Sequence, residues 1–123
     1  MNEKTQNKVG QYQVHPVKAE MLPIHDEERW RKLVDELTED IKVNGLQNPI
    51  LVDAADRLVD GRARLVACQE AKVKPRFQKV ELEGEEQIAA LVASLDGARR
   101  HMTKDERAYL AYKLATYSHG GNR

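Results

Sequence analysis

A mixed α+β fold with a helical extension is what this sequence predicts. Three observations carry that prediction. Apolar residues recur at three- and four-residue steps from Asp26 to Asn44, the spacing of one buried helix face. Two short apolar runs, Ile50–Val52 and Arg57–Val59, flank the turn Asp53-Ala54-Ala55-Asp56, as paired strands do. Helical patterns then return after Asp60-Gly61, after Glu85 and after Thr103, with one alternating stretch, Arg76–Val80, between the first two. The resulting order is helix, strand, strand, helix, strand, helix, helix, a small sheet with helices packed on it.

The elements follow from their residues in order. Residues 1–13 are polar and predict a disordered N-terminal tail. Val14-His15-Pro16-Val17 reads as a short extended segment, closed off by Pro23. In the first long helix Trp30, Leu33, Val34, Leu37 and Ile41 form the stripe, acids crowd the first turn, and Asn44-Gly45 stops it. Pro49 can only begin a strand, so Ile50–Val52 is placed after it. A helix from Arg62 to Ala71 turns Leu65, Val66 and Cys68 inward, and Pro75 ends that region. Ile88, Leu91, Val92 and Leu95 build the next helix. Thr103 and Glu106 have the spacing of a capping box opening a last helix through Tyr117. The expected organisation is a tail over 1–13, a core over 14–96, and a basic connector with a C-terminal helix over 97–123.

Composition bounds the function. With 123 residues and 41% hydrophobic content the chain suits one small domain with an appendage. Formal net charge is zero, which argues against a whole-domain electrostatic grip on nucleic acid. Charge is segregated, however: acids dominate Glu20–Asp40, and cations dominate both Arg57–Lys79 and Arg99–Arg123. The single Cys68 excludes an internal disulfide and a cysteine-based zinc cluster. No apolar stretch approaches the roughly 20 residues that span a bilayer, and no signal-peptide core follows Met1, so a cytoplasmic protein without a membrane partner is expected.

The organising stretch is Leu58-Val59-Asp60-Gly61-Arg62-Ala63-Arg64. A turn followed at once by a helix start presents unpaired backbone N–H groups, and Arg62 and Arg64 add full charges beside them. This is the chemistry of a phosphate pocket; the competing reading is a tight turn with two solvated arginines.

His15-Pro16, the helix end Asp40-Ile41-Lys42-Val43-Asn44-Gly45-Leu46, then Asn48-Pro49-Ile50, then Asp60-Gly61-Arg62-Ala63-Arg64 resemble the ParB/sulfiredoxin fold. The branch it is most similar to is the ParB-like nuclease domain of partition proteins. Leu95-Asp96-Gly97-Ala98-Arg99-Arg100-His101-Met102-Thr103 resembles the connector after that core. The resemblance implies a small mixed sheet with packed helices, and a nucleoside triphosphate, CTP or ATP, bound with Mg2+. Gly61, Arg62, Arg64, Arg99, Arg100 and His101 would meet phosphate, Gln47, Asn48, Pro49 and Ile50 would border the base, and Asp96 would hold the metal. The family turn reads Gly-Glu-Arg-Arg, so Arg62 and Ala63 depart from it. Sulfiredoxins carry their reactive cysteine where Arg62 stands, which argues against thiol chemistry.

The implied function is a nucleotide-binding module in DNA partition, plasmid or phage DNA maintenance, or transcription regulation. No helix-turn-helix fits before Arg123, so DNA would be met through a further C-terminal region or through phosphate alone. The C-terminal helix would form a homodimer. The alternative is an enzyme (nuclease, nucleotidase or phosphotransferase) using the same pocket, with Glu28 or Asp96 as base or metal ligand. First-turn acids such as Glu28 otherwise stabilise the helix dipole. Arg64→Ala is expected to weaken anion binding with the fold intact, and Gly61→Val to harm both. Trp30 reads as core and Cys68 as an inert core thiol rather than a nucleophile. His101 either donates to phosphate or caps the last helix, and Tyr109, Tyr112 and Tyr117 either stack on bases or pack on a partner helix.

Overall fold

The computed structural model describes residues 6–82, 84–95 and 102–118. Its elements run β1 (Lys8–Val9), β2 (Tyr12–Gln13), α1 (Pro16–Met21), α2 (Glu27–Asn44), β3 (Ile50–Val52), β4 (Leu58–Asp60), α3 (Arg62–Ala71), β5 (Phe77–Lys79), α4 (Gly84–Ser94) and α5 (Lys104–Ser118). The fold is mixed α+β, as the hydrophobic periodicities predict. Among the described residues no helix is long and apolar enough to cross a membrane. The chain divides into two compact units, one of residues up to His15 with Ile24–Glu81, the other of Pro16–Pro23 with the chain from Leu82 onward.

In the first unit β3 is the central strand, antiparallel to β4 and parallel to β5. Val14 adds a parallel bridge to Leu58 on the far side of β4. A register shift interrupts the β3–β4 ladder between Leu51 and Val52. Ile50, Val52, Leu58 and Val59 are buried, so this sheet carries much of the unit's apolar interior. Helix α2 starts where Asp26 caps it, its side chain accepting from the Arg29 N–H at 3.0 Å, and ends at Gly45 with φ 73°. It packs on α3 through Ile41, Ala67 and Cys68, with Leu37, Leu46, Ala71 and Val73 around them.

Two sequence expectations are corrected here. Residues 8–13, read as part of a disordered tail, form an antiparallel hairpin of β1 and β2. Gly10 makes the tight turn with φ +58°, Val9 is buried, and Tyr12 stacks on Phe77 with centroids 4.8 Å apart. Polar composition misses this because two anchoring side chains suffice to hold so short a hairpin. The segment after His15, read as extended, is helix α1. Pro16 occupies its first position, where a missing N–H costs nothing, and Val17–Met21 continue it.

The turn between β3 and β4 is built on Asp53. One carboxylate oxygen accepts from the Ala55 and Arg57 N–H groups at 2.9 and 2.8 Å, the other from Arg57 Nε at 2.7 Å. Burial by itself would raise this carboxyl, but the Arg57 amide, its guanidinium and the Ala55 amide outweigh it and hold the pKa below the usual range. Buried His15 places Nε2 3.8 Å from the same carboxylate. Asp53→Ala is expected to cost about 2 kcal/mol, measured by urea unfolding, because two turn amides and a guanidinium lose their acceptor.

The second unit is helical. Helix α4 packs on α1 and α5, and the buried side chains include Val17 and Met21, Ile88, Ala89 and Val92, and Leu110 and Tyr117. The capping box forms as read: Thr103 N–H donates to Glu106 Oε1 at 2.8 Å, and Glu106 N–H to Thr103 Oγ1 at 3.1 Å. Glu20 of α1 receives Lys113 Nζ and Tyr117 Oη from α5, while Tyr109 Oη donates to the Glu20 carbonyl at 3.1 Å. Hydrogen bonds from Lys113 first, and from Tyr117, hold the Glu20 carboxyl below its ordinary value of 4.5. A depressed carboxyl stabilises the fold above its unfolded pKa, and that contribution is lost as pH falls through the folded value. Thermal unfolding of wild type should therefore weaken more steeply than that of Glu20→Gln as pH drops below about 4.5.

Candidate functional site

Gly61 connects β4 to α3 with φ 103° and ψ 23°, left-handed backbone that a side chain resists. A Cβ there would lie 3.1 Å from Ile50 Cγ1 and 3.2 Å from Arg64 Nη2, so conformation favours glycine and a side chain would also crowd these two neighbours. Gly61 is the N-cap of α3 and offers no side-chain hydrogen bond to its first amides. The helix opens as read, with the Leu65 N–H bonded to the Gly61 carbonyl at 2.8 Å.

The two arginines after it play different parts. Arg64 reaches back one helical turn: Nη2 donates to Asp60 Oδ2 at 2.6 Å, and Nη1 to the carbonyls of Asn48 and Pro49 at 2.8 and 3.1 Å. The pair with Asp60 is about four-fifths shielded on each side. One guanidinium thus brings the turn together with the segment leading into β3, the two stretches that the resemblance assigns to phosphate and base. Gln47 and Asn48 are exposed there, Pro49 is half-buried, and Ile50 is buried within β3.

Arg62 goes inward. It is 6% exposed, its Nη1 donates to the Gln6 carbonyl at 3.2 Å, and its guanidinium lies 5.6 Å from the centroid of the Trp30 ring. Burial lowers its pKa to about 10, which leaves it charged at neutral pH. Trp30, read as core, is half-buried and serves as the platform for this cation. The sequence carries no sign of that pairing, because 32 positions separate the partners.

Glu28 sits exposed in the first turn of α2. Asp96, Arg99, Arg100 and His101 lie outside the described residues. Among the described residues no group of three or more His, Cys, Asp or Glu is placed to hold a metal ion. Cys68 is fully buried on α3; burial pushes its thiol up, against a smaller opposing pull from Arg64, so the inert reading has physical support.

A concavity away from the Gly61 turn escapes the sequence reading. Lys8, Gln11, Tyr12, Gln13, Val52, Ala55, Asp56, Arg57 and Phe77 line a groove of about 510 Å³. It is created by the hairpin, so reading residues 1–13 as a tail hid it. Tyr12 and Val14 alternate there with the polar Gln11 and Gln13 after Gly10, a signal too short to mark a strand by itself.

No family model matches this chain, and no characterised protein and no solved structure does so either.

Arg64→Ala is expected to destabilise the protein by about 1–3 kcal/mol in urea unfolding, because Asp60 and two carbonyls lose their donor. That differs from the sequence expectation of an intact fold, since the arginine is a strut as well as a charge. Gly61→Ala should cost a similar amount, about 1–3 kcal/mol, from backbone strain and contact with Ile50.

Proposed function

We propose that this chain is a cytoplasmic nucleotide-binding module of the ParB-like type, acting in DNA partition, plasmid or phage DNA maintenance, or transcription regulation. The observation that carries the reading is the joint at Gly61. A side-chain-free helix start and the lead-in Asn48–Pro49 share one guanidinium, Arg64. Phosphate oxygens of a nucleoside triphosphate would take the α3 amides, and Arg64 would exchange its carbonyl partners for them. Exchange of that kind links ligand occupancy to the position of the β3 lead-in.

Arg62 supports the pocket from behind, as a buried charge that adds to the positive potential without touching the ligand. The resemblance assigns Arg99, Arg100 and His101 to phosphate and Asp96 to Mg2+. A homodimer would use α5, on which Tyr112 is 67% exposed. DNA is the larger partner, met directly or through a further C-terminal region.

Isothermal titration with CTP, ATP and GTP in the presence of Mg2+ tests this. Heat with at least one nucleotide is expected, and its loss in Gly61→Val. No heat with any of the three ends the reading.

A further inference from the structure

The groove bounded by the hairpin and the sheet shares no lining residue with the Gly61 turn. At about 510 Å³ it has the size of a small-molecule site, and its lining is of two kinds. The first is aromatic. Tyr12 and Phe77 both line it, their rings stacked at 4.8 Å with 29° between the planes. Both are half-buried, so each keeps some surface on the groove.

The second kind is cationic: Lys8 and Arg57 line the same space. Asp53 Oδ2 accepts from Arg57 Nε at 2.7 Å, and Asp53 is itself buried and tied to the Ala55 and Arg57 amides at 2.9 and 2.8 Å. The guanidinium is therefore held through Nε. Its Nη1 and Nη2 have no partner among the described residues, and neither has the Lys8 ammonium. The paired terminal nitrogens form the fork that carboxylates and phosphates accept from. Holding Nε in advance lowers the ordering cost of using that fork. Asp56, the acid in the lining, is met by Lys79 at 3.4 Å. Lys8, Arg57 and Lys79 against Asp53 and Asp56 leave one positive charge in excess.

We infer that this groove binds a small planar aromatic anion, a ring system carrying a carboxylate or a phosphate group. The ring packs against Tyr12 and Phe77, and the anionic group takes the Arg57 fork with Lys8 beside it. Neither half suffices. A neutral ring gains aromatic contact but leaves the cations unmatched. A small anion without a ring gains only charge pairs that water screens at an open groove. The site is separate from the nucleotide reading at Gly61, and each can fail without the other.

Amide NMR titration of the full chain with naphthoate and with naphthyl phosphate, without Mg2+ or nucleotide, tests it. Shifts are expected at Tyr12, Ala55, Arg57 and Phe77, and the tighter of the two probes identifies the anionic group. Naphthamide, the ring without the charge, should bind about tenfold more weakly than that probe. Cyclohexanecarboxylate, a charge without the flat ring, should bind about fivefold more weakly. Arg57→Gln should remove the preference for the charged probe over naphthamide. Lys8→Glu, at an exposed position, should weaken the tighter probe about fivefold with the melting temperature unchanged. That variant keeps the test valid even where loss of Arg57 loosens its turn. No shifts with either probe, shifts confined to Gly61–Arg64 with both, equal binding of naphthamide, or unchanged affinity in Lys8→Glu would each overturn the inference.

Discussion

The guanidinium of Arg64 is the interaction on which the first unit's organisation depends. It joins the end of β4, the start of α3 and the lead-in to β3, three segments that are not continuous in sequence. Its partners are one carboxylate and two carbonyls, which the guanidinium meets through two separate nitrogens, Nη2 and Nη1. Partial burial strengthens the charge pair relative to the exposed pairs Arg31–Asp35 and Lys42–Glu39, which water screens. Gly61 is part of the same constraint, because any side chain there would meet both Ile50 and Arg64.

Under the proposed reading, structural support and anion affinity would be competing uses of one side chain. An arginine that already satisfies carbonyl oxygens is preorganised but not idle. Under the proposed reading, a phosphate would have to offer it better oxygens than Asn48 and Pro49 do, and the strand lead-in would be released on binding. Arg62 resolves the competition the other way, stacked on Trp30 and shut off from solvent. Two arginines with similar places in the sequence motif thus take different partners, carbonyl and carboxylate oxygens for Arg64 and an indole ring for Arg62.

The β3–β4 turn shows the same economy. Asp53 closes the turn through backbone amides and simultaneously positions Arg57 at the groove. The second unit repeats the device with Glu20, whose carboxylate gathers Lys113 and Tyr117 between α1 and α5. In both units a single acid orders several donors, so helix and turn positions are set by charge-assisted hydrogen bonds as well as by apolar burial.

Local pattern settled the elements with long periodic signals. Helix α2 shows its stripe and caps, α3 its glycine start, and α5 its capping box, because each of these is an interaction among residues a few positions apart. The mixed α+β class followed from those signals together with the two apolar runs flanking Asp53–Asp56 and the alternating stretch Arg76–Val80. The hairpin over residues 8–13 and helix α1 were not legible, since two-residue strands and a six-residue helix hold only through contacts made elsewhere in the fold. What the arginines after Gly61 do was likewise decided by tertiary structure. Sequence fixes that two cations follow the turn, but whether each faces water, carbonyl oxygens or an indole ring depends on chain segments that only folding brings within hydrogen-bond reach.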